Sequence, residues 1–192
     1  NNARLRSRPN PWVGAVVVSS SGEIFTGATR EPGNAHAEVV ALNAAGKKAV
    51  GATLYSTLEP CSHTGRTGPC TTAIIEAGVK RVVVGTLDPD TKVAGSGVQQ
   101  LRNAGLTVDV GVLEHDVREQ LAPYLHHRAT GRPFVVLKMA STIDGRIAAA
   151  DGSSKWITGE TARKRVHQLR AESDAIVVGA GTVRADNPSL TV

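Results

Sequence analysis

Residues 52–86 read ATLYSTLEPCSHTGRTGPCTTAIIEAGVKRVVVGT, and this stretch decides the fold. Residues 52–58 read as a strand that ends at Glu59-Pro60-Cys61. A Gly- and Pro-rich loop follows over 64–69, then a helix over 70–77 that Gly78 stops, then a strand over 81–86. Strand, helix and strand in so few residues argue an α/β sandwich. The pattern extends outward. Upstream, the β-branched run 13–18 reads as a buried strand, 19–22 as a turn and 23–28 as its hairpin partner. Residues 36–45 read as a helix, with Val39, Val40 and Ala44 on one face and Gly46 as its stop. Downstream come a helix over 98–104, a strand over 106–110 and a helix over 114–127.

A second α/β pattern starts after 128–133, which reads as a linker. It comprises a strand over 134–140, a helix over 160–172 with Thr158-Gly159-Glu160 as its cap, and a strand over 175–179. The expected organisation is therefore one domain over 1–127 and the start of another over 134–192. No internal repeat is visible.

The chain has 192 residues, of which 41% are hydrophobic but only 3% aromatic, so Ala, Val, Ile and Leu must fill the core. Lys and Arg number 22 against 17 Asp and Glu, a net charge of +5 that favours an anionic partner. The two cysteines are too few for a disulfide scaffold. The start, Asn1-Asn2-Ala3-Arg4-Leu5-Arg6, has no apolar core of a signal peptide, and no apolar run approaches the roughly 20 residues of a membrane span. A reducing, cytoplasmic setting is expected, in which a cysteine pair more often binds metal or does chemistry than forms a disulfide.

The chemistry-bearing residues are His36-Ala37-Glu38, Pro60-Cys61 and Pro69-Cys70. One imidazole and two thiolates suit Zn²⁺. Three protein ligands leave a fourth tetrahedral position open, which marks a catalytic site. Glu38 is then a spare carboxylate that can take a proton from water and pass it on. A structural zinc would want a fourth ligand, for which His63 is the candidate. On an ideal helix, positions two apart point nearly opposite ways, so His36 and Glu38 can converge only in an irregular first turn.

Zinc-dependent nucleobase deaminases carry H-x-E followed by P-C-x-x-C, and here the second half is stretched to Cys61-x8-Cys70. With Asn10-Pro11-Trp12-Val13-Gly14, the 57–70 segment and Asp88-Pro89, the chain resembles the deaminase domain of the bifunctional riboflavin-biosynthesis deaminase/reductases. Residues 137–146, 154–158 and 181–191 resemble the opening of their reductase domain. The resemblance implies a cytidine-deaminase-like three-layer α/β/α domain, followed by the start of a dihydrofolate-reductase-like α/β domain. It implies two reactions: hydrolytic deamination of 2,5-diamino-6-ribosylamino-4(3H)-pyrimidinone 5′-phosphate, then NADPH-dependent reduction of the ribosyl to a ribityl chain. His36, Cys61 and Cys70 match the zinc ligands, Glu38 the catalytic acid/base, and Asn10, His63 and Arg66 substrate-pocket positions. In the reductase part, Ala140, Trp156, Thr182 and Asp186 match NADPH-contacting positions, and Ser154, Arg170 and Leu190 match substrate-contacting ones. Taken alone, Arg66 also reads as a solvated loop residue, Trp156 as core and Asp144-Gly145 as a turn.

Gly68 stands where the family often has Pro. The chain ends at Val192, before the family's Glu-Gly-Gly cofactor segment, so deaminase but not reductase activity is expected. A homo-oligomer is implied by the resemblance only. A nucleic-acid deaminase is the competing enzyme reading; the Cys61-x8-Cys70 spacing, the second α/β unit and the scarcity of stacking aromatics count against it and against a nucleic-acid partner. A non-catalytic zinc module is the other alternative, against which Glu38 stands.

Overall fold

The computed structural model describes residues 3–90 and 93–192. Asn1 and Asn2, which open the N-terminal stretch read above, lie outside the described residues. The chain divides into two compact units, 1–134 and 135–192.

The first unit is built on a five-stranded mixed sheet in the order β2-β1-β3-β4-β5. The strands are β1 (Gly14–Val18), β2 (Ile24–Ala28), β3 (Thr53–Leu58), β4 (Arg81–Thr86) and β5 (Thr107–Val110). β1 pairs antiparallel with β2 and β3, while β3, β4 and β5 run parallel. The helices between them are α1 (Ala3–Arg6), α2 (Ala37–Ala45), α3 (Cys70–Glu76), α4 (Ser96–Asn103), α5 (Glu114–Gln120) and α6 (Ala122–Thr130). Parallel neighbours need crossovers, and α3 and α4 supply them.

Alternation along the strands sets the layers. Val17, Leu54, Val82 and Val108 lie side by side in register and are all buried, as are Ala15, Ser56 and Val84 one pleat further on. These form one face of the sheet and the centre of the aliphatic core, with Ala41, Ile74 and Leu101 from α2, α3 and α4. On the other face Val117 of α5 packs against Gly85. Helices thus cover both faces, as the three-layer reading requires. Tyr55, in the middle of β3 on that second face, stays partly exposed, so the cover there is incomplete.

Two details differ from the sequence reading. In α2 the buried positions are Ala37, Glu38, Ala41, Leu42 and Ala45, whereas Ala44 is exposed and Val39 and Val40 are half-buried. The sheet selects the side of α2 with the smallest residues because the backbones approach closely. A Cβ at Gly27 of β2 would lie 2.1 Å from the Ala37 carbonyl oxygen. The single helix read over 114–127 is two helices that meet at Leu121, because Pro123 in the first turn of α6 has no N–H to donate back to α5. α6 then continues to Thr130, into the stretch read as a linker.

In the second unit α7 (Glu160–Ala171) forms as read, and α8 (Ala180–Asp186) is a helix where none was read. The strands expected over 134–140 and 175–179 are not formed. Strand backbone is stabilised by hydrogen bonds to a neighbouring strand, and among the described residues neither stretch has a ladder partner. Val135 and Leu137 are each 82% exposed.

Candidate metal centre and the cleft beside it

Three elements deliver the candidate ligands. His36 is the N-cap of α2, with extended backbone (φ −71°, ψ 166°), and so stands outside the helix. Glu38 follows in the first turn of α2. This break in helical geometry resolves the orientation problem: His36 and Glu38 both reach the same cleft. Cys61 follows the C-terminal end of β3, and Cys70 opens α3 behind an N-cap Pro69 in extended conformation. The cysteines are free, not bridged.

The His36, Cys61 and Cys70 ligand atoms all lie within 4.8 Å of one another. Zn–S and Zn–N bonds of about 2.3 and 2.0–2.1 Å at a tetrahedral angle place sulfur and nitrogen about 3.5 Å apart. The two observed Sγ···Nδ1 separations are 3.7 Å for Cys61 and 3.3 Å for Cys70. Spacing and donor chemistry therefore both fit Zn²⁺. Among the described residues no fourth His, Cys, Asp or Glu joins the group; His63, the candidate fourth ligand, is exposed.

Electrostatics agree with a cation-binding cluster. A hydrogen bond from the Cys70 thiol, with further help from His36 and the Cys70 N–H, brings the Cys61 thiol down to about 4. Cys70 is the partner that keeps its proton: that hydrogen bond to Cys61 and burial push its pKa up. The bond to Cys61 also holds the His36 imidazole above its ordinary value. A cation bound between the two sulfurs would displace the Cys70 proton and make both of them thiolates. Glu38 is only 3% exposed, and burial pushes its carboxyl up to about 7, against the pull of its backbone hydrogen bond.

The cleft has a volume of about 150 Å³ and runs from His36, Glu38 and Cys61 to Asn10, His63, Asp88, Asp90, Tyr124 and Arg128. Asn10 and His63 thus line it as expected, while Arg66 does not; it is exposed on the loop joining the two cysteines. The far wall was not found as a site in the sequence. Tyr124 donates to Asp88 at 2.8 Å, the Arg128 guanidinium stacks 5.5 Å from the Tyr124 ring, and Arg128 pairs with Asp90 at 3.4 Å. Burial raises the Asp88 carboxyl, and burial with the adjacent Asp88 raises the Tyr124 hydroxyl. Asp88-Pro89 is the only part of this wall that the sequence marked, and Tyr124 sits in the stretch read simply as a helix over 114–127.

In the second unit, Ser154 and Trp156 line a separate cleft of about 760 Å³ with Thr142, Asp144, Arg146 and Lys155. Ala140, Arg170, Thr182, Asp186 and Leu190 lie outside it. Lys155 pairs with Asp186 at 3.2 Å, which brings α8 to the cleft's edge. Arg170 instead donates to the Thr191 carbonyl at 2.9 Å, and Arg163 stacks on Trp156 at 4.5 Å. Arg146, Lys155 and the hydroxyls give this cleft a donor set suited to an anionic group.

Comparison with known proteins agrees with both halves. Residues 1–86 match the family described as the cytidine and deoxycytidylate deaminase zinc-binding region, and residues 133–192 match the RibD C-terminal domain. The riboflavin biosynthesis protein RibD of Aquifex aeolicus is 53% identical over 97% of this chain and 52% of its own length. A solved Acinetobacter baumannii RibD superposes with a TM-score of 0.87 at 47% identity, covering 98% of this chain and 53% of that one. The Thermotoga maritima diaminohydroxyphosphoribosylaminopyrimidine deaminase/5-amino-6-(5-phosphoribosylamino)uracil reductase superposes with a TM-score of 0.87 at 49% identity, over 96% of this chain and 53% of that one. Spanning about half the length of the relatives it matches, the chain is similar across both of its halves to the RibD riboflavin biosynthesis proteins.

Proposed function

We propose that this chain carries the zinc-dependent deamination of riboflavin biosynthesis, acting on 2,5-diamino-6-ribosylamino-4(3H)-pyrimidinone 5′-phosphate. The observation that carries this reading is a three-ligand cluster with a buried carboxyl beside it in one cleft. His36, Cys61 and Cys70 hold the metal. When bound, Zn²⁺ supplies Lewis acidity that makes water acidic enough to deliver hydroxide near neutral pH. Glu38 carries the proton. With its carboxyl at about 7, it accepts a proton and returns it to the departing amine at similar cost, the condition under which general acid–base catalysis is most effective.

Asn10 and His63 orient the heterocycle from the cleft wall. Arg66 is the phosphate contact, since a guanidinium is suited to bidentate recognition of that group. Residues 1–127 form the deaminase domain, 128–133 the connection and 134–192 the opening of a reductase domain. There Ala140, Trp156, Thr182 and Asp186 contact NADPH, and Ser154, Arg170 and Leu190 the ribosyl substrate. Ser154, with Arg146 and Lys155 beside it, would hold the substrate's anionic part. Among the described residues no helix is long and apolar enough to cross a membrane. The proposed compartment is the cytoplasm, whose reducing conditions keep both thiols free, and the proposed assembly is a homo-oligomer.

The test is ammonia release from the diaminopyrimidinone ribosyl phosphate by zinc-loaded protein, without NADPH. Glu38→Gln should retain zinc and lose about 10²–10⁴-fold in rate. Full activity in that variant would refute the assignment of Glu38, and its failure to bind zinc would refute the separation of ligand and proton carrier.

A further inference from the structure

Glu59 is a charged side chain that the deaminase chemistry leaves without a task. It is only 4% exposed, yet its carboxylate accepts three backbone N–H bonds. Oε2 accepts from Asp88 at 3.3 Å and from Gly95 at 2.9 Å, and Oε1 accepts from Val98 at 3.1 Å. Gly95 is the N-cap of α4 and has no side chain to cap with. Glu59, from the end of β3, thus occupies the capping position of a helix 36 residues further along the chain. Both the orphan N–H groups and the helix dipole favour a carboxylate there.

The tether has two ends of consequence. One is Pro60-Cys61, covalently next to Glu59. A Cβ at Gly97 in the first turn of α4 would lie 2.0 Å from the Pro60 carbonyl oxygen, so helix and ligand segment are in direct contact. Ser62 and Ser96 hydroxyls meet at 2.7 Å alongside. On the other flank, Thr71 Oγ1 lies 2.8 Å from Gln100 Oε1 and 3.2 Å from the Cys61 carbonyl oxygen. α4 is therefore the platform on which both cysteine segments rest. The other end is the Asp88 N–H, at the start of the wall facing the metal ligands across the cleft.

We infer that Glu59 is a positioning residue: by capping α4 and tethering Asp88, it holds the Cys61 ligand segment and the opposite cleft wall in the spacing the metal centre needs. This rests on the reading of His36, Cys61 and Cys70 as metal ligands. Outer-shell partners of this kind are commonly worth about 10–100-fold in metal affinity. Glu59→Gln keeps the size but points an NH₂ donor at a backbone N–H, since both oxygens are in use.

The test compares zinc affinity by chelator competition and the visible spectrum of the Co²⁺-loaded protein, in the wild type and Glu59→Gln. A loss of about 10–100-fold in zinc affinity, with shifted Co²⁺ bands and unchanged circular dichroism, is expected. A residue that merely stabilised the fold would lower the melting temperature and leave affinity and spectrum alone, and that result overturns the inference. Should Glu59→Gln not fold, hydrogen exchange on the wild type decides: zinc should slow exchange at the Asp88, Gly95 and Val98 amides, and unaltered exchange there overturns it. A wild type that binds no zinc overturns the metal-centre reading and this inference together, whereas zinc-binding wild type with an unchanged variant overturns only the latter.

Discussion

Gly27→Ala tests how tightly the fold holds the site. Gly27 lies in β2 under the first turn of α2, which carries Glu38 and is capped by His36. An added Cβ would lie 2.1 Å from the Ala37 carbonyl oxygen and 2.6 Å from the Ala41 nitrogen, both backbone atoms that no rotamer change can move. Restoring an ordinary contact of 3.4 Å requires a retreat of 3.4 − 2.1 = 1.3 Å by the strand or the helix. Overpacking of this sort costs about 1–3 kcal/mol, or a melting-temperature loss of about 2–4 °C per kcal/mol at this chain length. The functional loss should be larger in proportion. Metal–ligand distances tolerate only about 0.2 Å, and a misplacement of about 1 Å costs on the order of 10²-fold in rate. Ammonia release, zinc competition and thermal unfolding should be measured together. Gly14→Ala is the control, because a Cβ there meets only the Thr57 methyl group, at 3.9 Å, and should be near neutral. A Gly27→Ala protein with wild-type melting temperature, zinc affinity and rate would refute the argument that α2 rests directly on β2.

Four further outcomes are expected. Cys70→Ser should remove a thiolate ligand and abolish tight zinc binding in chelator competition, with a smaller effect on the sheet. Stripping zinc should lower the melting temperature, because metal held at about 1,000 times its Kd stabilises by about 4 kcal/mol; an unchanged melting temperature would mean that no metal is bound in the folded state. Thr71→Val should cost about 1 kcal/mol in denaturant unfolding, since it removes the hydrogen bond from a fully buried hydroxyl to Gln100 Oε1, while the Cys61 carbonyl keeps its bond from the Thr71 N–H. The Asp88 carboxyl is raised above its ordinary 3.8 by burial, so its stabilising contribution is fully present below the unfolded value and is lost as pH rises through the folded one. Relative to Asp88→Asn, the wild type should therefore lose stability as pH rises above about 4, and the opposite slope would show that the Tyr124 hydrogen bond outweighs burial.

Much of the first unit was legible because its signals are local. Residues 81–86 read as a strand and form β4 over the same residues, since a β-branched run bounded by turn signals carries its own pairing surface. Gly46 and Gly78 read as helix stops and take φ of +52° and +71°, which other residues rarely adopt. The buried side of α2 was misread because periodicity favours the largest apolar residues, Val39 and Val40, while the close approach at Gly27 selects alanines. The strands read over 134–140 and 175–179 are absent because strand structure depends on a partner elsewhere in the sequence, which composition does not report.

The sequence by itself determined the kinds of elements, their order in the first unit and the donor set of one imidazole, two thiols and a spare carboxyl, because periodicity and side-chain chemistry are properties of short stretches. Only the tertiary structure decided that His36 sits in extended backbone outside α2, so that it and Glu38 face one cleft. It alone also decided that Asp88, Asp90, Tyr124 and Arg128 close that cleft, and that Glu59 caps a helix 36 residues away. These juxtapositions join residues distant in sequence through the packing of α2, α4 and α6 around the sheet, and no local pattern encodes them.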